Sequence, residues 1–402
     1  MFKLARWSYL IYAALAALIT AAKGFFYAHL LDAVQYAHVN YYLLILGVGV
    51  LLVGSGVIVR CHTELPLLVK GPREVLERFV GQVKGTGLLC WLVMCGVFPF
   101  LGKAIDLDVR LQVLSLLQVL IFFLFTVDLM LIKGRLDFAG YARQLFVRNA
   151  VIAACGFLVA YLTGDALRTV LAEVVCAVLF YGRGLYALLR GLRMPGVVFL
   201  HQSIAFMPVT LVGALLQFSD RLLGSSLLDT QTFSRFSYFA LVVMAGMSLQ
   251  QLVNTRVITV LPEICQRRSS DGFAYALKVA LGMSALLLAG LPMGMFFLQS
   301  PWFAASWVQQ DYVLGGLFVL IAWARSVDFF SSYLLVMGRK RLLFFLQSSA
   351  LLFFAVVFLF CRLVKTVTLY EFLILVFIGY FALLLSMLFS AWSIRNAGEV
   401  VK

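Results

Sequence analysis

The sequence predicts an all-α membrane protein that crosses the bilayer about twelve times, as two similar six-helix bundles. Hydrophobic residues make up 63% of the 402 positions, and charged residues make up only 12%. So few charges cannot cover the surface of a soluble domain. The apolar residues also form long runs, such as residues 111–131 and 342–360. A helix of about 20 apolar residues is long enough to cross the hydrocarbon core, and these runs meet that requirement.

The distribution of positive charge predicts the orientation of the chain. The formal net charge is +14, and most of the 32 Lys and Arg residues fall in segments on the same side as both termini. This assignment uses spans such as Asn40–Val59 and Phe146–Thr163, the second with Arg143 and Arg148 at its basic end. Because cytoplasmic segments carry such an excess, both termini are predicted in the cytoplasm. The basicity then indicates contact with anionic membrane lipids and no nucleic acid.

Cysteine and histidine give no indication of a metal or redox centre. The seven cysteines and four histidines are scattered singly, and no two cysteines have C-x-x-C spacing. Isolated cysteines inside apolar segments behave as small core residues. The sequence therefore predicts no disulfide, no metal site and no cofactor.

An ordered internal repeat indicates that the chain consists of two halves. Leu30–Asp32 recurs as Leu227–Asp229, each time after the first span of a half. Nine residues before each aspartate lies an ion within a span, Lys23 in the first half and Asp220 in the second. Repeats of this length indicate duplicated structural units.

The repeat predicts two six-helix bundles, formed by residues 1–194 and 195–402. Because six is an even number, both halves begin on the same side of the membrane, and a pseudo-two-fold axis along the membrane normal relates them. Two such bundles facing each other would enclose a central cleft, as alternating access requires. One undivided bundle is the alternative, and it leaves the repeat unexplained.

Three helices resemble a known family. Leu215–Gly224, which contains Asp220-Arg221 and then Leu-Leu-Gly, resembles the seventh-helix signature of polysaccharide flippases. Ala21–Leu31 resembles the first helix of that family, and Gly54–Arg60 resembles the second. These flippases belong to the MATE-like multidrug/oligosaccharidyl-lipid/polysaccharide exporter superfamily.

The resemblance implies a MATE-like fold and a flippase of the bacterial cytoplasmic (inner) membrane. Such a protein moves a lipid-linked oligosaccharide, on an undecaprenyl-pyrophosphate carrier, to the outer leaflet. It would serve the synthesis of O-antigen, capsule or exopolysaccharide. Its expected partners are the glycan cargo, membrane lipids, a glycan polymerase or glycosyltransferases, and Na⁺ or H⁺ as a coupling ion.

Basic residues inside the spans are the expected cargo contacts. An ionisable side chain within a span costs at least ~2.5 kcal/mol, so its presence requires a reason. An anionic pyrophosphate would need cationic partners in the cleft. The expected cleft residues are Lys23, Arg60, Arg256 and Arg325. For the second and third of these, snorkelling to lipid head groups is the alternative.

Three further charged residues are interpreted as coupling groups or structural ion pairs. Asp220 and Arg221 are adjacent and near the outer end of their span, where an ion pair or a cap is an alternative to a role in coupling. Arg325 and Asp328 are three positions apart on one helical face and could neutralise each other.

Two other functions compete with the flippase. A cation-coupled multidrug or metabolite antiporter of the same fold would be expected to carry acids in its cleft, whereas the ions here are largely basic. A membrane glycosyltransferase or polymerase usually has catalytic carboxylates on an outer loop. The first outer loop predicted here is only Asp32–Asn40, and no pair of carboxylates is placed for acid–base work. The sequence therefore predicts a transporter and no enzyme.

Overall fold

The protein is helical throughout the part of the chain that this computed structural model describes, residues 2–104, 107–364 and 368–395. Over these residues there are fourteen helices and no strand. The first eight are α1 Phe2–Leu30, α2 Ala33–Val53, α3 Val57–Leu68, α4 Arg73–Ala104, α5 Val109–Gly134, α6 Phe138–Thr163, α7 Ala166–Gly191 and α8 Val197–Leu227. The others are α9 Thr230–Arg267, α10 Ser269–Gln299, α11 Tyr312–Ser326, α12 Phe330–Val336, α13 Lys340–Val364 and α14 Leu369–Ile394.

The helices have the length and composition of membrane spans. In the described residues, ten helical segments are long and apolar enough to cross a bilayer, or eleven if the bent α8 is one span. α11 and α12 together form one of the ten. α1, at 29 residues, corresponds to the first span expected from the sequence. The predicted class, an all-helical membrane protein with many spans, is confirmed.

The repeated Leu-Leu-Asp sequence has a local structural reason in both places. Asp32 is the N-cap of α2, and its side chain accepts a hydrogen bond from the backbone N–H of Gln35. Asp229 is the N-cap of α9 and accepts from the backbone N–H groups of Gln231 and Thr232. An aspartate in this position satisfies amides that have no partner within the helix. Because α2 begins at residue 33, the first connection between helices is shorter than the loop predicted over Asp32–Asn40, and the predicted length of that loop is wrong.

The second predicted span, Asn40–Val59, is interrupted rather than continuous. α2 ends at Val53, and α3 starts at Val57 after the sequence Gly54-Ser55-Gly56. Gly56 has φ 77° and ψ −42°, a conformation that an L side chain rarely adopts. The break places the end of this span, which carries Arg60, on a separate helix.

The fifth predicted span, Phe146–Thr163, begins earlier than expected. α6 starts at Phe138, where the N-cap Asp137 accepts a hydrogen bond from Gly140 N. Arg148 is therefore a residue of the spanning helix, with its side chain buried, and not part of a cytoplasmic segment.

The chain forms two compact units, Met1–Phe218 and Ser219–Lys402. The division falls within α8, because the beginning of that helix packs within the first unit. The Phe79 and Phe199 rings lie 5.7 Å apart, and the backbone N–H of Gly56 donates to Thr210 Oγ1 at 3.2 Å. The division between residues 194 and 195 was predicted from the sequence repeat and stays a prediction about where the two repeats meet. It is not the boundary between the two compact units.

The same order of helix packing recurs within each unit. In the first unit, α2 contacts α4 and α5, and α7 contacts α5 and α6. In the second unit, α9 contacts α10 and α11, and α14 contacts α11 and α13. When the spans are numbered one to six in each half, the second span packs on the third and fourth in both halves. The sixth span packs on the fourth and fifth in both halves. This recurrence supports the internal repeat.

Candidate functional site

The first unit contains a buried charge cluster around Glu173. Lys23 Nζ, on α1, lies 2.6 Å from the Glu173 carboxylate on α7. Tyr27 Oη donates a short hydrogen bond to the same carboxylate, and Tyr42 Oη, on α2, donates another at 3.0 Å. The Glu173 side chain is only 1% exposed, so one ammonium and two hydroxyl groups replace its hydration.

Small residues and helix contacts explain why the cluster fits there. Gly156, on α6, faces it, and a Cβ at that position would collide with Tyr27 Oη and lie 2.8 Å from Glu173 Oε1. The Lys23 ammonium also lies 5.7 Å and 5.9 Å from the ring centroids of Tyr27 and Tyr42. Lys23, which has no acid nearby in the sequence, therefore has one in the structure.

The second unit contains a corresponding ion pair around Asp220. Arg325 Nη1, on α11, lies 2.6 Å from Asp220 Oδ2 on α8, and both side chains are at most 5% exposed. The Arg325 guanidinium lies 4.5 Å from the centroid of the Tyr380 ring, whose hydroxyl is 2.8 Å from Ser219 Oγ. Asp220 Oδ1 is enclosed and has no hydrogen-bond partner among the described residues.

The ion pair expected between Arg325 and Asp328 is wrong, because the Asp328 carboxylate caps the start of α12 instead. Its Oδ1 accepts hydrogen bonds at 3.1 Å from the backbone N–H groups of Phe330 and Ser331, at the break between α11 and α12. The partner of Asp220 is likewise Arg325 and not its neighbour Arg221, which is half-buried.

Arg60 connects α3 to the beginning of α8. Its Nε and Nη2 lie 2.7 Å and 3.1 Å from the two carboxylate oxygens of Glu64, and its Nη1 donates to Phe199 O and Ser203 Oγ. The Phe199 ring centroid lies 4.1 Å from the guanidinium carbon. A guanidinium held in this way clamps two helices, which favours a structural role. Arg256, the fourth expected cleft cation, lies on α9 with an exposed side chain.

A third cluster, centred on the half-buried Asp128, was not recognised from the sequence. Lys84 Nζ, on α4, lies 3.1 Å from Asp128 Oδ1 on α5, and Tyr181, on α7, donates a short hydrogen bond to Asp128 Oδ2. The cluster repeats the Lys–acid–Tyr composition around Glu173. Its members come from three helices. In the sequence, the only sign of the cluster is that Lys84 and Asp128 are isolated charges expected at similar depths in two neighbouring spans.

These arrangements neutralise charge inside the spans. Glu173, Asp128 and Asp220 each have a Lys or Arg within 3.1 Å. A neutral, hydrogen-bonded pair is stable in a medium of low dielectric, whereas one buried charge by itself is not. No group of three or more residues suited to hold a metal ion occurs among the described residues.

The fold is MATE-like, because two solved structures of MATE proteins are similar to it over nearly the whole chain. One is the inward-facing conformation of a multidrug resistance MATE family transporter of the MOP superfamily, with a TM-score of 0.65 and 13% identity over 95% of both chains. The other is a MATE protein in complex with Br-NRF, with a TM-score of 0.57 and 13% identity over 98% of this chain and 95% of that one. Neither a family model nor a curated protein matches the sequence.

Proposed function

We propose that the protein is a secondary transporter that moves a lipid-linked oligosaccharide of the undecaprenyl-pyrophosphate type across the bacterial cytoplasmic membrane. Alternating access of the two bundles would carry the glycan to the outer leaflet for surface polysaccharide synthesis. The MATE-like fold supports transport. The resemblance of Leu215–Gly224 to the seventh helix of polysaccharide flippases supports the cargo class.

The main observation in favour of an anionic cargo is that the buried carboxylates are already neutralised by basic side chains. A cation-coupled antiporter needs a buried carboxylate that can release one cation and take another. Here Glu173 and Asp220 are each held at 2.6 Å by a cation that belongs to the chain. Arginine stays protonated under all physiological conditions, so Arg325 competes permanently with Na⁺ or H⁺ for its partner. Transport of an anionic cargo does not require a carboxylate to exchange one cation for another.

The four cations expected from the sequence stay the proposed pyrophosphate contacts, as a hypothesis. They are Lys23, Arg60, Arg256 and Arg325. Three of them now have a carboxylate partner at 2.6–2.7 Å. To bind cargo, each of these three would exchange that partner for a phosphate oxygen, which matches the same donor geometry.

The second candidate is a cation-coupled multidrug or metabolite antiporter of the same fold. The enclosed Asp220 Oδ1, which has no hydrogen-bond partner among the described residues, favours it. That oxygen could take a proton, or contribute to a Na⁺ site, while Oδ2 stays paired with Arg325. One of the two similar structures is that of a multidrug resistance MATE family transporter, which is consistent with this candidate.

Complementation of a deletion strain distinguishes the two candidates. Loss of surface polysaccharide, with unchanged resistance to cationic drugs, is expected for the flippase. When export is expressed per molecule of folded protein, Lys23→Gln should then fail to restore the glycan, whereas Arg73→Gln, which removes an exposed charge, should restore it. Intact glycan with lost drug resistance in the deletion strain would overturn the flippase in favour of the antiporter.

The proposed partners follow from the cargo. A glycan polymerase and glycosyltransferases would act on the same carrier lipid, in the inner membrane. Genes for such enzymes beside this one would support the cargo class. Neighbouring genes for drug response alone would count against it.

A further inference from the structure

Arg148 is a buried cation whose contacts differ from those of the other buried cations. It lies on α6, ten residues after the first residue of that helix, Phe138. At 1.5 Å per residue, this is about 15 Å along a span. Its side chain is 9% exposed. An arginine at such a depth carries a large insertion cost, so it requires a compensating interaction.

The other buried cations obtain this compensation from acids. Within the described part of the chain, the Arg60, Lys84 and Arg325 side chains are also at most 10% exposed, and Asp220 lies 2.6 Å from the last of them. Glu64 lies 2.7 Å from the first, and Asp128 lies 3.1 Å from the second. No acid lies within ion-pair distance of Arg148 in the same part of the chain.

Two aromatic rings hold the Arg148 guanidinium in place. Its central carbon lies 4.4 Å and 4.5 Å from the ring centroids of Phe122 and Phe125 on α5. Its Nε donates a hydrogen bond to Asn149 Oδ1 at 3.0 Å. The guanidinium therefore lies against both rings, and a guanidinium stacked on aromatic rings keeps its edge for hydrogen bonding.

The terminal nitrogens of Arg148 are available to a ligand. No hydrogen bond from either of them to a described residue is present. Neither nitrogen is among the fully enclosed side-chain atoms without a partner, so the described residues do not seal off the edge of the guanidinium. The two nitrogens together present four N–H groups in one plane.

We propose that Arg148, held against Phe122 and Phe125, binds the phosphate group of a lipid. A guanidinium edge matches two oxygens of a phosphate, and the fixed planar donors favour this anion over a spherical one. At this position on a spanning helix, the anion available in a membrane is a phosphate carried by an apolar chain. A phospholipid and a polyprenyl phosphate have this chemistry in common.

The inference does not depend on the proposed cargo, because lipid binding is measured without transport. Purified full-length protein in detergent is titrated with phosphatidylglycerol, undecaprenyl phosphate, diacylglycerol and inorganic phosphate, with binding followed by native mass spectrometry. The two lipid phosphates are expected to bind more tightly than diacylglycerol and inorganic phosphate. Arg148→Gln should weaken their binding roughly ten- to hundred-fold, because a charge-assisted contact is lost.

Matched variants keep the result interpretable. Arg143→Gln removes an exposed charge from the same helix and should leave lipid affinity unchanged. Arg148→Lys should retain part of the affinity. Phe122→Leu keeps the charge and removes one ring, and should weaken binding about threefold or more. This variant provides the test if Arg148→Gln does not fold.

The pattern of losses identifies the lipid. A larger loss for phosphatidylglycerol assigns the site to a resident phospholipid, and a larger loss for undecaprenyl phosphate assigns it to the carrier lipid. Equal binding by wild type and Arg148→Gln would overturn the proposal. So would a loss equally large for diacylglycerol, or inorganic phosphate binding as tight as that of the lipids.

Discussion

Lys23 and Glu173 lie 150 positions apart in the chain, and the Lys23 ammonium is 2.6 Å from the Glu173 carboxylate. The pair joins α1 to α7, the first and last spanning helices of the predicted first bundle. Two tyrosine hydroxyls complete the coordination of the carboxylate. The stability of this junction therefore depends on two charges that compensate each other inside a span.

Removal of one charge of this pair should destabilise the protein more than removal of both. Glu173→Gln or Lys23→Gln leaves the other ion uncompensated, which costs about 3–5 kcal/mol for a buried pair. The double variant removes both ions and should recover a large part of that loss. Thermal unfolding of the purified proteins in detergent, arranged as a double-mutant cycle, measures the coupling.

The control for this cycle is the exposed pair Arg73–Glu77, for which both single changes and the double change should have small effects. Additive losses for Lys23 and Glu173 would contradict the prediction, because they would mean that the two side chains act independently.

Gly156→Ala should disturb the same cluster without changing any charge. The added methyl group would collide with Tyr27 Oη and press on Glu173. Overpacking of this kind costs about 1–3 kcal/mol. Gly182→Ala is the matched control, since position 182 has nothing within 4 Å and alanine favours a helix there. A lower midpoint of thermal unfolding for the first variant and an unchanged or higher one for the second are expected.

Gly56→Ala should be more harmful than the same change at another glycine with positive φ. At Gly56 the backbone has φ 77°, and a Cβ would also collide with the carbonyl oxygen of Ser203. At Gly164 φ is 60° and nothing lies within 4 Å. Gly164→Ala should therefore lose only the conformational term of about 1–2 kcal/mol. Equal unfolding midpoints for the two variants would show that the contact with α8 is unimportant.

The orientation predicted from charge can be measured by cysteine labelling in intact cells. Trp302 lies in the exposed connection before α11, and the cysteine of Trp302→Cys should react with an impermeant thiol reagent added outside the cell. Arg339→Cys lies in the exposed turn before α13 and should react only after the membrane is opened. The unsubstituted protein supplies the background from its own seven cysteines. The reverse pattern would place both termini outside.

Local features of the fold could be predicted from the sequence. The spans follow from the lengths of apolar runs, and Asp32 and Asp229 mark equivalent helix starts because an N-cap depends only on the next three residues. The break at Gly54–Gly56 was also a local signal, since glycines within a helical pattern indicate an interruption. The apolar run nevertheless predicts a continuous span, and the separate helix α3 shows that this prediction is wrong.

The ion pairs could not be predicted, because each depends on which helices are neighbours. Lys23 appeared to lack an acid because Glu173 becomes its partner only when α1 lies close to α7. For the same reason the sequence suggests its neighbour Asp328 as a partner of Arg325, whereas in the structure that partner is Asp220. The sequence places Arg148 at the basic end of its span, whereas in the structure it lies well inside the helix, because α6 begins eight residues before the predicted span.

The last prediction concerns Arg60 and separates a structural clamp from a cargo contact. The Arg60 guanidinium holds both oxygens of Glu64 and also reaches Phe199 O and Ser203 Oγ. A lysine keeps the charge but cannot make this planar set of contacts. Arg60→Lys should therefore lower the unfolding midpoint, and Glu64→Gln should lower it too, because that change leaves Arg60 without a counterion. If the two variants also lose glycan export in proportion to their lost protein level, Arg60 is a clamp between α3 and α8. Export that is lost in Arg60→Gln but retained in Arg60→Lys, at equal protein levels, would contradict this and indicate that the charge itself contacts the cargo.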